Sequence, residues 1–328
     1  MFGSEIFDVA IGLFVVYFLV STICSTIREG IEAWLKTRAA YLEHGIRKLL
    51  QDGAGVGLAR SLFEHPMIAG LSTATQYQPG PNTPRPGTLA TGRDRPSYIP
   101  SKNFAIALMD IAARGPIDAG SSDKSAAVIS LVNIRNNIAT IQSPPIQRVL
   151  LSAVDAAQEN LDQAQANIEA WYDSAMDRIS GWYKRSTQIV IFVIALFVAV
   201  GLNINSIAII DHLSTNKGSR EAAVAYAQKA SGTENYKEAR TQLEKLKLPI
   251  GWSGFSVHCP NKVESWWAEV FAPLVGWLLT AIAATLGAPF WFDVLNKFMV
   301  IRSTVKPTEK SPQETSEDRQ AGKNKPSS

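Results

Sequence analysis

The sequence predicts an all-α membrane protein. Three transmembrane helices are expected, with a helical cytoplasmic module after the first and a small helical extracytoplasmic segment after the second. Three observations carry this. Mean hydropathy over the whole chain is only +0.01, yet the apolar residues concentrate in three blocks while the rest is polar. Each block is close to the roughly 20 residues that cross a hydrocarbon core. Charged residues make up 19% of the chain, below the roughly 25% of soluble globular proteins.

The composition excludes several classes. The chain has 32 basic and 29 acidic residues, a net charge of +3, too balanced for a dedicated nucleic-acid binder, so no nucleic-acid partner is expected. Two cysteines far apart rule out a disulfide scaffold and a multi-cysteine zinc site. The 328 residues leave room for about two domains.

The first block runs from Ile6 to Ile23 and carries one charge, Asp8. No Lys or Arg precedes it and no A-x-A site follows it, so residues 1–26 read as a retained anchor rather than a cleaved signal peptide. The second block, Ile189 to Ile210, and the third, Val270 to Phe292, contain no charged residue. They place transmembrane helices at 187–210 and 267–293. Gly276, Ala281, Ala283, Ala284, Gly287 and Ala288 suit close helix packing in the third, and Pro289 should kink or end it.

Lys and Arg near the span ends set the orientation. Arg28, Lys36, Arg38, Arg178, Lys184, Arg185, Lys297, Arg302 and Lys306 fall on one set of flanks. Only Lys217, Arg220 and Lys262 fall on the other. The N-terminus is therefore expected outside, 27–186 in the cytoplasm, 211–266 outside and the 294–328 tail in the cytoplasm. The tail is polar and should be disordered after about 303.

Within 27–186, apolar residues recur on one helical face over 27–52 (Ile27, Ile31, Trp34, Leu35, Leu42, Ile46, Leu49, Leu50). This stretch either prolongs span one or lies as a separate helix on the membrane surface. Residues 76–101 are so rich in Pro and Gly that a long loop is expected. A short helix should follow at about 102–113, with another loop at 114–125. From Ile146, the series Leu150, Val154, Ala157, Leu161, Ala164, Ile168, Trp171, Ala175 steps by three and four. That is a heptad seam, a coiled-coil pattern, on one rod over 146–185 entering span two. The seam requires a partner, either helix 27–52 or a second subunit. Two short polar helices are expected at about 219–230 and 235–247.

Catalytic and metal-binding patterns are weak. Gly53-Ala-Gly55-Val-Gly57 lacks the strand and third glycine of a dinucleotide loop and reads as a helix stop. Gly251-Trp-Ser253-Gly-Phe255 misses the nucleophile elbow at its last position. His44, His65, His212 and His258 show no metal-ligand spacing, and His258-Cys259 is a lone pair. No catalytic residue, cofactor or metal is assigned. Asn203 and Asn205 line a pore or join helices. No span carries a midplane charge, against a proton-coupled or ion transporter.

Four stretches occur together: Glu64-His65-Pro66-Met67-Ile68; Pro96-Ser97-Tyr98-Ile99-Pro100-Ser101; Met176 to Arg185 (MDRISGWYKR); and Gly287 to Asp293 (GAPFWFD). In this order the chain resembles a family of uncharacterised bacterial integral membrane proteins. The resemblance implies a bacterial inner-membrane location and no known activity. Where that family tends to show Asn-x-Asp, this chain has Asn203-Ile-Asn205. Arg178, Trp182, Lys184 and Arg185, with Trp291 and Asp293, are expected to form a junction at the cytoplasmic interface, Asp293 pairing with one of the three cations.

The functional expectation is a membrane anchor or scaffold, not an enzyme, with the lipid bilayer as one partner. A protein partner or self-association through the 146–185 helix is the other. The alternatives are a subunit of an oligomeric channel with span two lining the path, and, more weakly supported, a membrane enzyme.

Overall fold

The computed structural model describes residues 2–73, 76–92, 94–115, 128–141, 143–230, 232, 235–252 and 271–305. Every regular element among them is helical, and the helices divide into two compact units. Residues 1–26 with 192–328 form one, and Ile27–Ile191 the other. The loop expected at 114–125, the disordered tail after 303 and His258-Cys259 fall largely or wholly outside the described residues.

In the Ile27–Ile191 unit, α1 (Phe2–Leu35) ends where Lys36 turns left-handed, at φ 52 and ψ 47. Helix α2 (Thr37–Leu49) starts at once, and the Glu32 carboxylate accepts the Arg38 N–H at 2.8 Å to hold the corner. The apolar pattern over 27–52 is thus carried by two helices. Four more helices follow: α3 (Leu58–Glu64), α4 (Pro66–Ala69), α5 (Ser101–Arg114) and α6 (Leu131–Asn137). The Asp52 carboxylate accepts backbone N–H groups from Gly55, Val56, Gly57 and Ala59, so it, with the glycines, organises the turn into α3. Helix α5 agrees with the expected 102–113 helix within a residue or so at each end.

The single rod over 146–185 is not observed. Helix α7 (Pro144–Ala156) stops, Gln158 and Glu159 take positive φ, and α8 (Leu161–Gly201) begins afresh. The Asn160 side chain accepts the Gln163 N–H at 3.1 Å, an N-cap that interrupts the heptad series. Leu161, assigned to the seam, is 36% exposed as the first residue of α8. Leu150, Val154, Ala164, Ile168 and Ala175 are buried. Leu150, Val154 and Ile168 share one core with Leu42 and Ile46 of α2 and Phe104 and Leu108 of α5.

The seam therefore finds its partner within the chain. Gly45 lies against Ile179 so closely that a methyl group there would overlap it. Tyr41 meets Tyr183 at 5.8 Å between ring centroids, so α2 and α8 run antiparallel. Leu161→Asp is accordingly expected to change stability by less than about 0.5 kcal/mol, as at other exposed sites. Ile168→Asp, at 1% exposure, should cost several kcal/mol. Thermal denaturation of the two full-length variants measures the difference, and equal losses would overturn the assignment.

In the other unit, span two does not continue to Ile210. After Gly201 the chain turns through Asn203, at φ 48, and resumes as α9 (Ser206–Thr215). The helices expected near 219–230 and 235–247 are α10 (Lys217–Ala227) and α11 (Tyr236–Lys245), the latter closed by an Asn235/Glu238 capping box. The third apolar block is not one helix over 267–293. Helix α12 (Ala272–Thr285) and helix α13 (Ala288–Val305) meet at 94°. Gly287, at φ +87, makes the corner that Pro289 permits at the start of α13.

Contacts with α1 fix the direction of α13. Phe292 lies near Phe18 at 6.0 Å, Trp291 on Phe14 at 5.4 Å, and Phe298 beside Phe14 at 4.8 Å and Phe7 at 6.2 Å. Arg302 then donates to Asp8 at 2.6 Å. Helix α13 thus runs back along α1 toward its N-terminal end.

Candidate functional site

Two buried polar constructions stand out, one in each unit. In the first unit, Tyr17 donates to Ser206 at 3.0 Å, and Ser206 and Thr280 are 2.8 Å apart. Thr280 spends its single proton on the carbonyl of Ile204 (2.8 Å) or Gly276 (2.9 Å), so Ser206 must donate to Thr280. Asn205 accepts the N–H groups of Ile207 and Ala208 as the cap of α9. Asn203 donates to the Gly251 carbonyl at 2.9 Å and accepts the Trp277 indole N–H at 3.0 Å. Both asparagines are 9% exposed. Gly276 abuts the Asn205 amide with no room for a methyl group. These contacts form an interhelical joint, tied from α1 through Tyr17 and Ser206 of α9 to Thr280 of α12.

Of the junction residues, Arg178, Lys184 and Arg185 are exposed on α8. Trp182 is half-buried, with the Lys48 ammonium 4.8 Å from its ring centroid. Nearby, Arg28 donates to Tyr183 at 2.6 Å and Thr187 at 3.1 Å. Trp291 is buried, donates its indole N–H to the Ala283 carbonyl at 2.7 Å, and packs on Phe14 and Tyr17. It staples the α12–α13 corner. Asp293 is exposed and forms no ion pair among the described residues. The expected pairing of Asp293 is thus not part of the described structure. Its exposed place on α13 leaves the carboxylate free to be solvated.

The second construction was not anticipated. Glu43, on α2, is 2% exposed, and its carboxylate accepts three donors, Tyr77 O–H at 2.7 Å, Gly80 N–H at 3.1 Å and Arg47 at 3.2 Å, and pairs with the Arg95 guanidinium at 3.7 Å. Arg47, also 2% exposed, donates on to the carbonyls of Gly80 (2.8 Å) and Gly53. Its Nε finds no partner among the described residues. Burial, then the neighbouring Glu43 charge, pushes the Tyr77 phenol well above its ordinary pKa, so it stays a donor at any physiological pH.

This cluster pins the 76–101 loop, which has no regular structure but is well anchored. Tyr77 stacks on Phe63 at 4.6 Å, Tyr41 donates to the Pro86 carbonyl and Tyr172 to that of Ile99. Gly92 donates to Leu35 and sits against the Ala40 backbone where a side chain would clash. Between the loop and α3–α4 lies an open cavity of about 850 Å³, walled by Arg60, Glu64, Tyr77, Asp94 and Arg95 among others.

His65 and His212 have structural partners. His65 Nδ1 accepts the Met67 N–H and Nε2 faces Asp110 at 3.2 Å, so both ring nitrogens are engaged. His212 bonds Ser219. No group of three potential metal ligands occurs among the described residues. Sequence reasoning passed over Glu43 and Arg47 because an i,i+4 acid–base pair is ordinary on a solvated helix face. The available signal was their position amid Ala39, Ala40, Leu42 and Ile46.

Among the described residues the fold is all-helical, with helices long and apolar enough to cross a membrane. Glu5–Leu35 and Leu161–Gly201 each qualify, and the bent pair of α12 and α13 does so as a broken span or re-entrant loop. No protein-family model, curated protein or solved structure matches it.

Proposed function

We propose that this is a membrane-anchored interaction protein of the bacterial inner membrane, whose Ile27–Ile191 unit is a helical module presented to a partner. One observation carries the reading: the two units handle their apolar side chains differently. The unit built on the end of α8 with α9, α12 and α13 exposes Phe197, Leu274, Leu278, Leu279, Ile282 and Phe290, each at least 44% open. Outward apolar side chains at that density suit lipid rather than water. Ile27–Ile191 instead buries one contiguous apolar core. The pore alternative gains little from Asn203 and Asn205, which are buried and engaged by the α9 cap, the Gly251 carbonyl and the Trp277 indole.

The reading carries a topology different from the one charge alone suggests. Two crossing segments, α1 and α8, are joined by a re-entrant pair, α12 and α13. The Asp8–Arg302 ion pair supports an end of α13 on the same membrane face as the N-terminus. Lys297, Arg302 and Lys306 then join Lys217, Arg220 and Lys262, against Arg28, Lys36, Arg38, Arg178, Lys184 and Arg185. The charge asymmetry disappears, so charge no longer supports placing 27–186 in the cytoplasm.

Reporters active on only one side of the membrane test this. Fused at the N-terminus and after Arg302, they should report the same face, and one inserted at the exposed Gly87 the opposite face. Opposite signals from the two termini would refute the re-entrant arrangement. Identical signals from all three positions would refute the anchored module itself.

A further inference from the structure

We infer that the 850 Å³ cavity of the Ile27–Ile191 unit is a binding site for a small, multiply charged oxyanion, a phosphate- or carboxylate-bearing group that docks on Arg95. The argument begins with charge. One buried carboxylate, Glu43, serves two guanidinium groups, Arg47 at 3.2 Å and Arg95 at 3.7 Å. No other carboxylate pairs with either among the described residues. The three side chains sum to one positive charge, which falls on the cavity-facing Arg95, where an anionic group would be favoured.

Arg47 cannot be that contact point, being 2% exposed and capped by the Gly53 and Gly80 carbonyls. Arg95 can. Its side chain is 17% exposed, it lines the cavity, and it is held by Glu43 on one side and the Gln78 carbonyl at 3.3 Å on the other. A guanidinium fixed in this way offers its remaining N–H groups at no further ordering cost, the condition for strong bidentate oxyanion recognition.

The cavity has the right scale, since ligand sites commonly enclose about 300–1,000 Å³. Its walls add a second cation, Arg60, whose charge is largely neutralised by Glu64 at 2.9 Å. The stacked Phe63–Tyr77 pair supplies an apolar face for the ligand's body. Asp94, exposed in the wall, opposes an anion and limits affinity.

The charged group could belong to a soluble metabolite or to an anionic lipid headgroup, and the experiment separates the two. The full-length protein is reconstituted in nanodiscs of neutral phosphatidylcholine and titrated calorimetrically with pyrophosphate at constant ionic strength. A parallel sample carries phosphatidylglycerol in the disc, and its melting temperature is recorded. Saturable pyrophosphate binding that Arg95→Gln weakens by about tenfold or more supports a soluble oxyanion. A phosphatidylglycerol-dependent rise in melting temperature that Arg95→Gln abolishes supports a headgroup.

Because Arg95→Gln strips a partner from Glu43, Asp94→Asn supplies a variant at an exposed position that should fold normally. Removing its negative charge should tighten binding of the same probe about threefold or more. The proposal is overturned if neither probe binds beyond a chloride control, or if binding is indifferent to both substitutions.

Discussion

Replacing Glu43 by alanine is expected to cost about 3–5 kcal/mol, the usual penalty for leaving a buried charge without its partner. Arg47 would stay interred at 2% exposure with no carboxylate within reach, Tyr77 would lose its acceptor, and the loop would lose Gly80. Against the roughly 5–15 kcal/mol typical of whole domains, such a loss is a large fraction of the stability. Limited proteolysis of the full-length protein should then cut between 76 and 100, where the wild type is expected to resist. The double variant Glu43→Leu/Arg47→Met removes both charges together and should recover most of the stability, since a well-packed apolar pair can replace a buried ion pair at little cost. An alanine variant as stable as the wild type, or a double variant no better than the single one, would show that the pair does not hold the loop.

The second large effect is expected at Gly276. Leucine there must displace the Asn205 amide, which caps α9. Overpacking of this kind costs about 1–3 kcal/mol, and losing the cap adds about 1 kcal/mol. Helix α12 would lift from α9, and the Tyr17–Ser206–Thr280 relay would open with it. Gly276→Leu should therefore lower the melting temperature of the detergent-solubilised protein strongly, and Gly276→Ala by less. Thr280→Val in the Gly276→Leu background should add little, because the relay is already broken. If Gly276→Leu melts with the wild type, the close crossing of α12 and α9 is wrong.

Much of the fold was legible because it rests on local rules. The apolar blocks, the prolines of 76–101 and the period of α5 and α8 each announce an element from a handful of neighbouring residues. What escaped was set by single residues acting against a periodic background. Gln158 and Glu159 adopt left-handed backbone inside a pattern that reads as an unbroken heptad, and neither is a residue type that marks a stop. Pro289 was visible as a weak point while Gly287 read as a packing residue, and a kink and a reversal look alike in sequence. Their outcome depends on where Phe292, Phe298 and Arg302 find partners along α1. The cavity was invisible for a related reason. Arg60, Tyr77 and Arg95 approach only because the loop closes onto α2, and no sequence spacing encodes that closure.

The contact of Gly45 with Ile179 has a consequence for recognising kin of this protein. The two positions are separated by more than a hundred residues yet divide one fixed volume. A chain that keeps the α2–α8 crossing can enlarge residue 45 only by shrinking residue 179. Gly with Ile, or Ala with Val, are compatible pairs, whereas two large residues are not. Such reciprocal size is a fingerprint that survives when the rest of the sequence has drifted, and it can be sought in distant chains before any of them is aligned end to end.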